Sequence, residues 1–247
     1  MEKITSRQNH IVQHLRRLGT DRDYRELKRE FVCEGPKLLE EAVRWGAEIV
    51  TVLTDTEDVP QTGAQTFLVA RELAEYASPV KNGQGVVFSC RIPEPVRELP
   101  QGRAIVLERL QDPGNVGTVI RTANAFGIDS VVLIDCADVY NPKTVRATMG
   151  GMFRQTIVET DISALPGLIE ASGMRLYAAA LTGECIDVRE LPHDNVAVAV
   201  GNEGRGLSAE LIGLAVSGVR IPMSEKCESL NAAVAASVIM WELARQD

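Results

Sequence analysis

The chain has 247 residues, enough for two modest domains or one large one, and its apolar (45%) and charged (24%) fractions are those of an ordinary globular protein. A net charge of −8 argues against indiscriminate nucleic-acid binding, and 4% aromatic content argues against a sheet that stacks nucleobases on exposed rings. The five cysteines (33, 90, 136, 185, 227) are scattered, odd in number and without a Cys-x-x-Cys pair, so they fit reduced thiols in a cytoplasmic protein better than disulfides or zinc. The only His pair at helical spacing, His10 and His14, reads as a solvated helix face, so no metal is expected. No apolar run reaches membrane-spanning length, and no signal-peptide core follows the charged N-terminus.

The charge is unevenly spread. Residues 1–29 hold eight basic side chains (Lys3, Arg7, Arg16, Arg17, Arg22, Arg25, Lys28, Arg29) against four acidic ones, leaving +4 there and −12 on the remaining 218 residues. That asymmetry permits a phosphate-binding face on an acidic protein. Its competitor is a solvated helix on which these bases pair with Asp21, Asp23 and Glu26.

In chain order, Thr5 or Ser6 can cap a helix through Leu18, with Gly19 as its stop, and a charged helix follows from about Asp21 to Arg29. Phe31–Cys33 reads as a strand, and Glu34-Gly35-Pro36 turns it into a helix ended by Gly46. Strands are expected at 48–55, 66–69 and 84–90, with a short helix at 71–76 between the last two. This alternation predicts a small α/β sandwich over residues 1–92. The three prolines within 91–102 make a semi-rigid linker, bounded here as 93–102.

From Arg103 the pattern changes to continuous apolar strands at 104–107, 131–134, 176–180, 196–200 and 219–221, alternating with helices. Such runs fit a parallel sheet covered on both faces, whose ligands sit beyond the carboxyl ends of the strands. The last helix, opened by Ser229-Leu230-Asn231, is small or apolar almost throughout and reads as buried on most sides.

Three blocks stand after strands of this second region: Asn115 to Gly127, Gly201 to Ser208, and Ile221-Pro222-Met223 with Ser229-Leu230-Asn231. In this order they resemble the three motifs of the SpoU/TrmH family of RNA ribose 2′-O-methyltransferases, within the knotted SPOUT superfamily. The resemblance covers residues 103–247. It implies an α/β fold: a C-terminal parallel-sheet domain tied in a trefoil knot, following a small N-terminal α/β RNA-binding domain. Phe31 to Gly35 with Glu41-Ala42 resembles the signature of that N-terminal domain, which is similar to small ribosomal proteins that bind kinked or looped RNA.

The resemblance further implies S-adenosyl-L-methionine as cofactor, ribosomal or transfer RNA as substrate with ribosomal RNA favoured, and a homodimer formed through the C-terminal domain. Carried over residue by residue, the catalytic set is Asn115, Arg121, Glu203, Ser229 and Asn231. The cofactor would lie against Leu181, Thr182, Gly201, Ile221, Met223 and Leu230. Arg7, Arg16, Arg17 and Arg146 are the candidate RNA contacts. The family pattern implies a general-base role for Arg121, but a guanidinium stays protonated at ordinary pH. Orienting a phosphate and stabilising charge suits it better. Two departures stand out: Ala232-Ala233 where the family continues Val-Ser, and Gly150-Gly151 where it usually has Gly-Ala. Two other readings remain at this point: a non-catalytic RNA-binding or ribosome-assembly protein on the same fold, and an unrelated nucleotide-using α/β enzyme. The second lacks a glycine fingerprint after its first strand.

Overall fold

The computed structural model describes residues 1–81, 83–180, 185–227 and 229–245, and by contact the chain divides into two units. The first unit comprises Met1–Glu94 and Tyr140–Phe153. It is built from β1 (Glu2–Ile4), α1 (His10–Thr20), α2 (Arg22–Lys28), β2 (Glu30–Glu34), α3 (Pro36–Arg44), β3 (Ile49–Thr54), β4 (Gln65–Val69), α4 (Arg71–Ala77) and β5 (Val86–Arg91). The five strands form a mixed sheet in the order β1-β4-β3-β5-β2. Side chains alternate across it. Val32, Leu53 and Val87 point toward Val12, Leu15 and Leu18 of α1 and Leu73 and Ala77 of α4, whereas Phe31, Cys33, Val52 and Phe88 point toward Leu39 and Ala42 of α3. The predicted sandwich is therefore a sheet with helices on both faces.

Local chemistry moves several boundaries. Asn9, not Thr5 or Ser6, caps α1 by accepting from Ile11 N–H (2.9 Å), while the Ser6 hydroxyl accepts from Gln8 N–H in the preceding turn. Gly19 does not stop the helix, which runs on to Thr20. A Cβ on Gly19 would lie 3.1 Å from Pro79 Cβ, so the glycine serves close packing rather than termination. His14 leaves the expected solvated face: half-buried, it meets Tyr24 Oη through Nδ1 (2.9 Å) and the buried Glu30 through Nε2 (3.0 Å).

The second unit, Pro95–Val139 with Arg154–Asp247, carries the larger sheet. Its elements are β6 (Arg103–Glu108), α5 (Pro113–Ala125) and β7 (Ser130–Ile134). Next in the chain is α6 (Pro142–Thr148), which belongs to the first unit, where Val145 joins the α3-side core and Phe31 packs against Tyr140 and Phe153. The segment 140–153, expected inside the C-terminal domain, thus packs with the N-terminal one. The chain returns with β8 (Thr156–Thr160), α7 (Leu165–Ser172), β9 (Arg175–Ala178), β10 (Cys185–Asp187), β11 (Val196–Val200), α8 (Ala209–Leu214), β12 (Ser217–Arg220) and α9 (Ala232–Ala244).

Its seven strands, in the order β10-β12-β9-β11-β6-β7-β8, are all parallel. Helices α7 and α8 cover one face, burying Leu165 and Leu211 against Val106, Val132, Leu176 and Ala199, and α9 packs on α5, β6 and β11. Strands β7 and β11 are buried end to end, as their sequences require. Helix α9 departs from its expected burial: Ala232, Ala233, Ala236, Ile239, Met240 and Leu243 form one buried stripe, and Val234 (48%) and Trp241 (58%) stay exposed. Because β6, β11 and β12 are parallel, their carboxyl ends and the loops that follow open on one edge of the sheet.

Candidate active site at the carboxyl edge of the parallel sheet

Strand β6 ends in Glu108, and the chain turns through Arg109, held at φ +58°, to reach α5. Asp112 caps that helix by accepting from Asn115 N–H (3.0 Å), with Pro113 in the first turn. The capped turn presents the Asn115 amide to the loop after β11. There, Asn115 Nδ2 donates to Glu203 Oε1 at 2.7 Å.

The same oxygen accepts from Asn231 Nδ2 (2.7 Å) and from Ala232 N–H (3.2 Å). Asn231 meanwhile caps α9, its Oδ1 accepting from Ala233 and Val234 N–H, and its Nδ2 also approaches Asn115 Oδ1 (3.4 Å). One carboxylate oxygen thus ties the starts of two helices together. Helix N-termini favour a negative charge, so the position suits Glu203 electrostatically as well. A cavity of 460 Å³ opens here, lined by Asp112, Asn115, Glu203, Ser229, Leu230 and Asn231.

The loop that carries Glu203 is itself pinned to β6. Asn202 Nδ2 donates to the Arg109 carbonyl (3.1 Å), its Oδ1 accepts from Gly204 and Arg205 N–H, and Ser208 N–H donates to Glu108 Oε2 (2.7 Å). Glu108 is fully buried. Between these anchors Asn202 and Gly206 pair across the loop. Gly201 is packed so closely beneath it that an added Cβ would stand 2.4 Å from the Gly206 carbonyl carbon.

The SpoU rRNA Methylase family matches residues 102–241, the span that holds all of these loops. The 23S rRNA (guanosine(2553)-2′-O)-methyltransferase RlmP of Bacillus subtilis is 32% identical over 98% of this chain and 99% of its own. The 23S rRNA (uridine(2479)-2′-O)-methyltransferase of Streptomyces viridochromogenes is 31% identical over 99% of this chain and 92% of its own. Among solved structures, the AdoMet-bound rRNA methyltransferase from Sinorhizobium meliloti superposes with a TM-score of 0.89 at 31% identity, covering 98% of this chain and 97% of that one. This chain belongs to the SpoU family.

Of the five family positions read as catalytic, Asn115, Glu203, Ser229 and Asn231 line the one cavity. Arg121 does not join them. It is exposed, six residues beyond Asn115 on α5, which places it about 9 Å along the axis and on another face, and no hydrogen bond or ion pair to a described residue engages it. Ser229 lines the cavity but does not cap α9; that role falls to Asn231 alone. Of the cofactor positions, Leu230 lines the cavity and Gly201 underlies the Glu203 loop. Ile221 is half-buried and Met223 exposed just beyond β12. Leu181 and Thr182 lie outside the described residues. Arg7, Arg16, Arg17 and Arg146 are all exposed and all belong to the first unit.

Glu108 and Asn202 shape this site, and the family-based set omits both. A charged residue closing the apolar run Ala104–Leu107 is the signal for Glu108. Asn202 is flanked by glycine loop chemistry but gives no sign of its bond to Arg109. Among the described residues, no cluster of His, Cys, Asp and Glu could hold a metal ion, and no helix is long and apolar enough to cross a membrane.

The geometry makes Glu203→Ala informative. Alanine removes an acceptor shared by three donors, whereas glutamine retains an oxygen in the same place. Hydrogen bonds to a charged group are worth about 1.5–3 kcal/mol, so Glu203→Ala should lower kcat/KM by on the order of 10- to 100-fold, with Glu203→Gln recovering part of the loss. Steady-state kinetics of the two variants read this, and equal activity in both would show that the shared oxygen is unimportant.

Proposed function

We propose that this protein transfers a methyl group from S-adenosylmethionine to a ribose 2′-hydroxyl of ribosomal RNA, acting in the cytoplasm as a homodimer. The observation that carries the reading is Glu203, whose single oxygen joins Asn115 of the first motif block to Asn231 of the third. A binding module on this fold has no need of that union. Ribosomal RNA is favoured over transfer RNA because both full-length relatives described above act, by name, on 23S rRNA.

S-adenosylmethionine supplies an activated methyl on a sulfonium centre. The residues present suit it. Leu230 and Ile221 offer apolar surface, the backbone around Gly201 allows close approach, and Glu203 offers negative charge. Leu181, Thr182, Gly201, Ile221, Met223 and Leu230 would hold it. The protein's main task is to position two reactants for an in-line displacement. Asn115, Ser229 and Asn231, with Glu203 fixing the two amides, would orient the ribose. Arg121 would bind a neighbouring phosphate through its fork, and proton removal from the hydroxyl falls to solvent or phosphate rather than to a guanidinium.

The trefoil knot of the SPOUT superfamily belongs to the same reading. Supporting it, β11 is inserted between β9 and β6, and the chain returns after β12 to lay α9 on α5. The first unit would contribute the RNA contacts, with Arg7, Arg16, Arg17 and Arg146 as candidates.

The test of function is direct: total ribosomal RNA from a strain lacking the gene, incubated with the protein and labelled S-adenosylmethionine, should gain label at one 2′-O-methyl nucleotide by mass spectrometry. Binding of S-adenosylmethionine without transfer to ribosomal or transfer RNA would favour a non-catalytic role.

The homodimer rests on the exposed apolar face of α9, where Trp241 packs edge-on against Phe126 at 5.5 Å between ring centroids and Val234 lies two turns away. A stable interface buries on the order of 1,200 Å² or more. Light scattering at micromolar concentration should give twice the chain mass, and Trp241→Asp should shift it to the monomer. A monomeric wild type would remove the dimer from the proposal.

A further inference from the structure

The basic N-terminal segment contains two kinds of arginine. Arg17 donates through Nε to Asp21 Oδ2 (3.0 Å), and the Asp21 carboxyl is held below its usual pKa by the Tyr24 N–H and then by Arg17 itself. Arg22 pairs with Glu26 (2.9 Å), Arg71 with Asp55 and Glu75, and Arg91 with Glu30 and Glu48. Arg25 is buried and donates to the Leu18 carbonyl. The charges of these side chains are largely satisfied within the unit.

Arg7 and Arg16 differ. Neither has a carboxylate partner among the described residues, and both lie over one aromatic ring. The Arg16 guanidinium carbon is 4.2 Å and that of Arg7 4.7 Å from the centroid of Tyr76. Arg16 Nη1 also donates to the Tyr76 carbonyl (2.9 Å), and Gln13 Nε2 donates to the Arg7 carbonyl (2.6 Å), with a long contact to Tyr76 Oη. Both arginines are exposed and Tyr76 is half-buried, so the ring is a fixed platform and the cations face solvent.

Two centroid distances of this size keep the guanidinium groups within about 9 Å of each other, close enough for like charges to repel. An anion that reaches both guanidinium groups offsets that repulsion. The ring contact orders both side chains and the Tyr76 carbonyl also holds Arg16, so little further entropy is lost when an anion is bound. We propose that Arg7, Arg16 and Tyr76 form a phosphate clamp for the backbone of single-stranded or looped RNA. The proposal rests on the reading of the protein as an RNA methyltransferase and narrows its candidate RNA contacts in the N-terminal segment to Arg7 and Arg16, because Arg17 already pairs with Asp21. The ring serves to hold cations, so base identity should not matter at this site.

The test compares the full-length protein with the double variant Arg7→Gln/Arg16→Gln and with Arg22→Gln, which removes a positive charge from the same unit without touching the clamp. Affinity for a fluorescent oligouridylate is measured by anisotropy across a salt series, with methyl transfer to ribosomal RNA assayed in parallel. Each phosphate contact on a single strand contributes about 0.7 to the log–log salt slope, so the double variant should lose about 1.4 and Arg22→Gln should stay close to wild type. In transfer assays the double variant should raise KM for RNA and leave kcat at saturating RNA unchanged. Tyr76→Phe should behave as wild type and Tyr76→Leu should lose part of the affinity. A double variant with the wild-type slope, or one matched by Arg22→Gln, would overturn the clamp while leaving methyl transfer intact. Absence of RNA binding and of transfer in the wild type would instead overturn the functional reading on which it rests.

Discussion

Replacing Arg121 with alanine is expected to lower methyl transfer at least about 100-fold, as loss of a charge-stabilising donor commonly does, while S-adenosylmethionine binding changes little. The expectation follows from where the side chain stands. Arg121 is exposed on α5, the helix whose first turn delivers Asn115 to Glu203, and no described residue pairs with its guanidinium. A guanidinium fork that no described residue engages, on the helix that also carries Asn115, suits an external anion, and an RNA phosphate is the anion adjacent to every ribose. Calorimetry with S-adenosylmethionine separates binding from transfer, because the proposed cofactor positions belong to other loops. Arg121→Lys keeps the charge but replaces two parallel donors with a point ammonium, so it should recover little activity. Near-normal turnover by the lysine variant would remove the reason for assigning the fork a role.

What the sequence makes legible follows how local the determining physics is. The five central strands are readable because burial on both faces demands continuous apolar runs, and Ser130–Ile134 and Val196–Val200 supply them. The strands β8 and β10 lie at the two edges of that sheet, half-exposed along much of their length, and their mixed residues carry no comparable pattern. The three-residue β1 is too short to show one. Asn231 could be placed at a helix start because capping is local, and the family blocks then join it and Asn115 to Glu203. The anchoring of the Glu203 loop is not local. Glu108 meets Ser208 a hundred residues away in sequence, and Asn202 meets Arg109 at a separation of 93. The packing of Tyr140 and Phe153 on Phe31, which draws 140–153 into the first unit, is equally long-range and leaves no mark on the local pattern.

Gly201→Ala should abolish function by a different route from Arg121→Ala, through the loop rather than through a lost contact to substrate. The added Cβ would stand 2.4 Å from the Gly206 carbonyl carbon, 2.5 Å from Leu207 N and 2.6 Å from Gly206 O. All three are backbone atoms, so no side chain can swing aside, and the turn itself must open. Opening it breaks the Gly206 N–H bond to the Asn202 carbonyl (2.8 Å) and shifts Glu203, which sits within the same turn. Asn115 and Asn231 would then lose their common acceptor. A displacement of about 1 Å at a site of this kind costs on the order of 100-fold in rate, and here the proposed cofactor positions at Gly201 and Leu230 should suffer with it. Both transfer and S-adenosylmethionine affinity should therefore fall together, unlike the Arg121 variant, in which only transfer falls. Gly213→Ala is the matched control. It places the same methyl in the last turn of α8 where nothing lies within 4 Å, and alanine there should raise stability by up to about 1 kcal/mol without affecting either measurement. A Gly201→Ala protein that binds S-adenosylmethionine as tightly as wild type would mean that the turn beneath Glu203 does not shape the cofactor site.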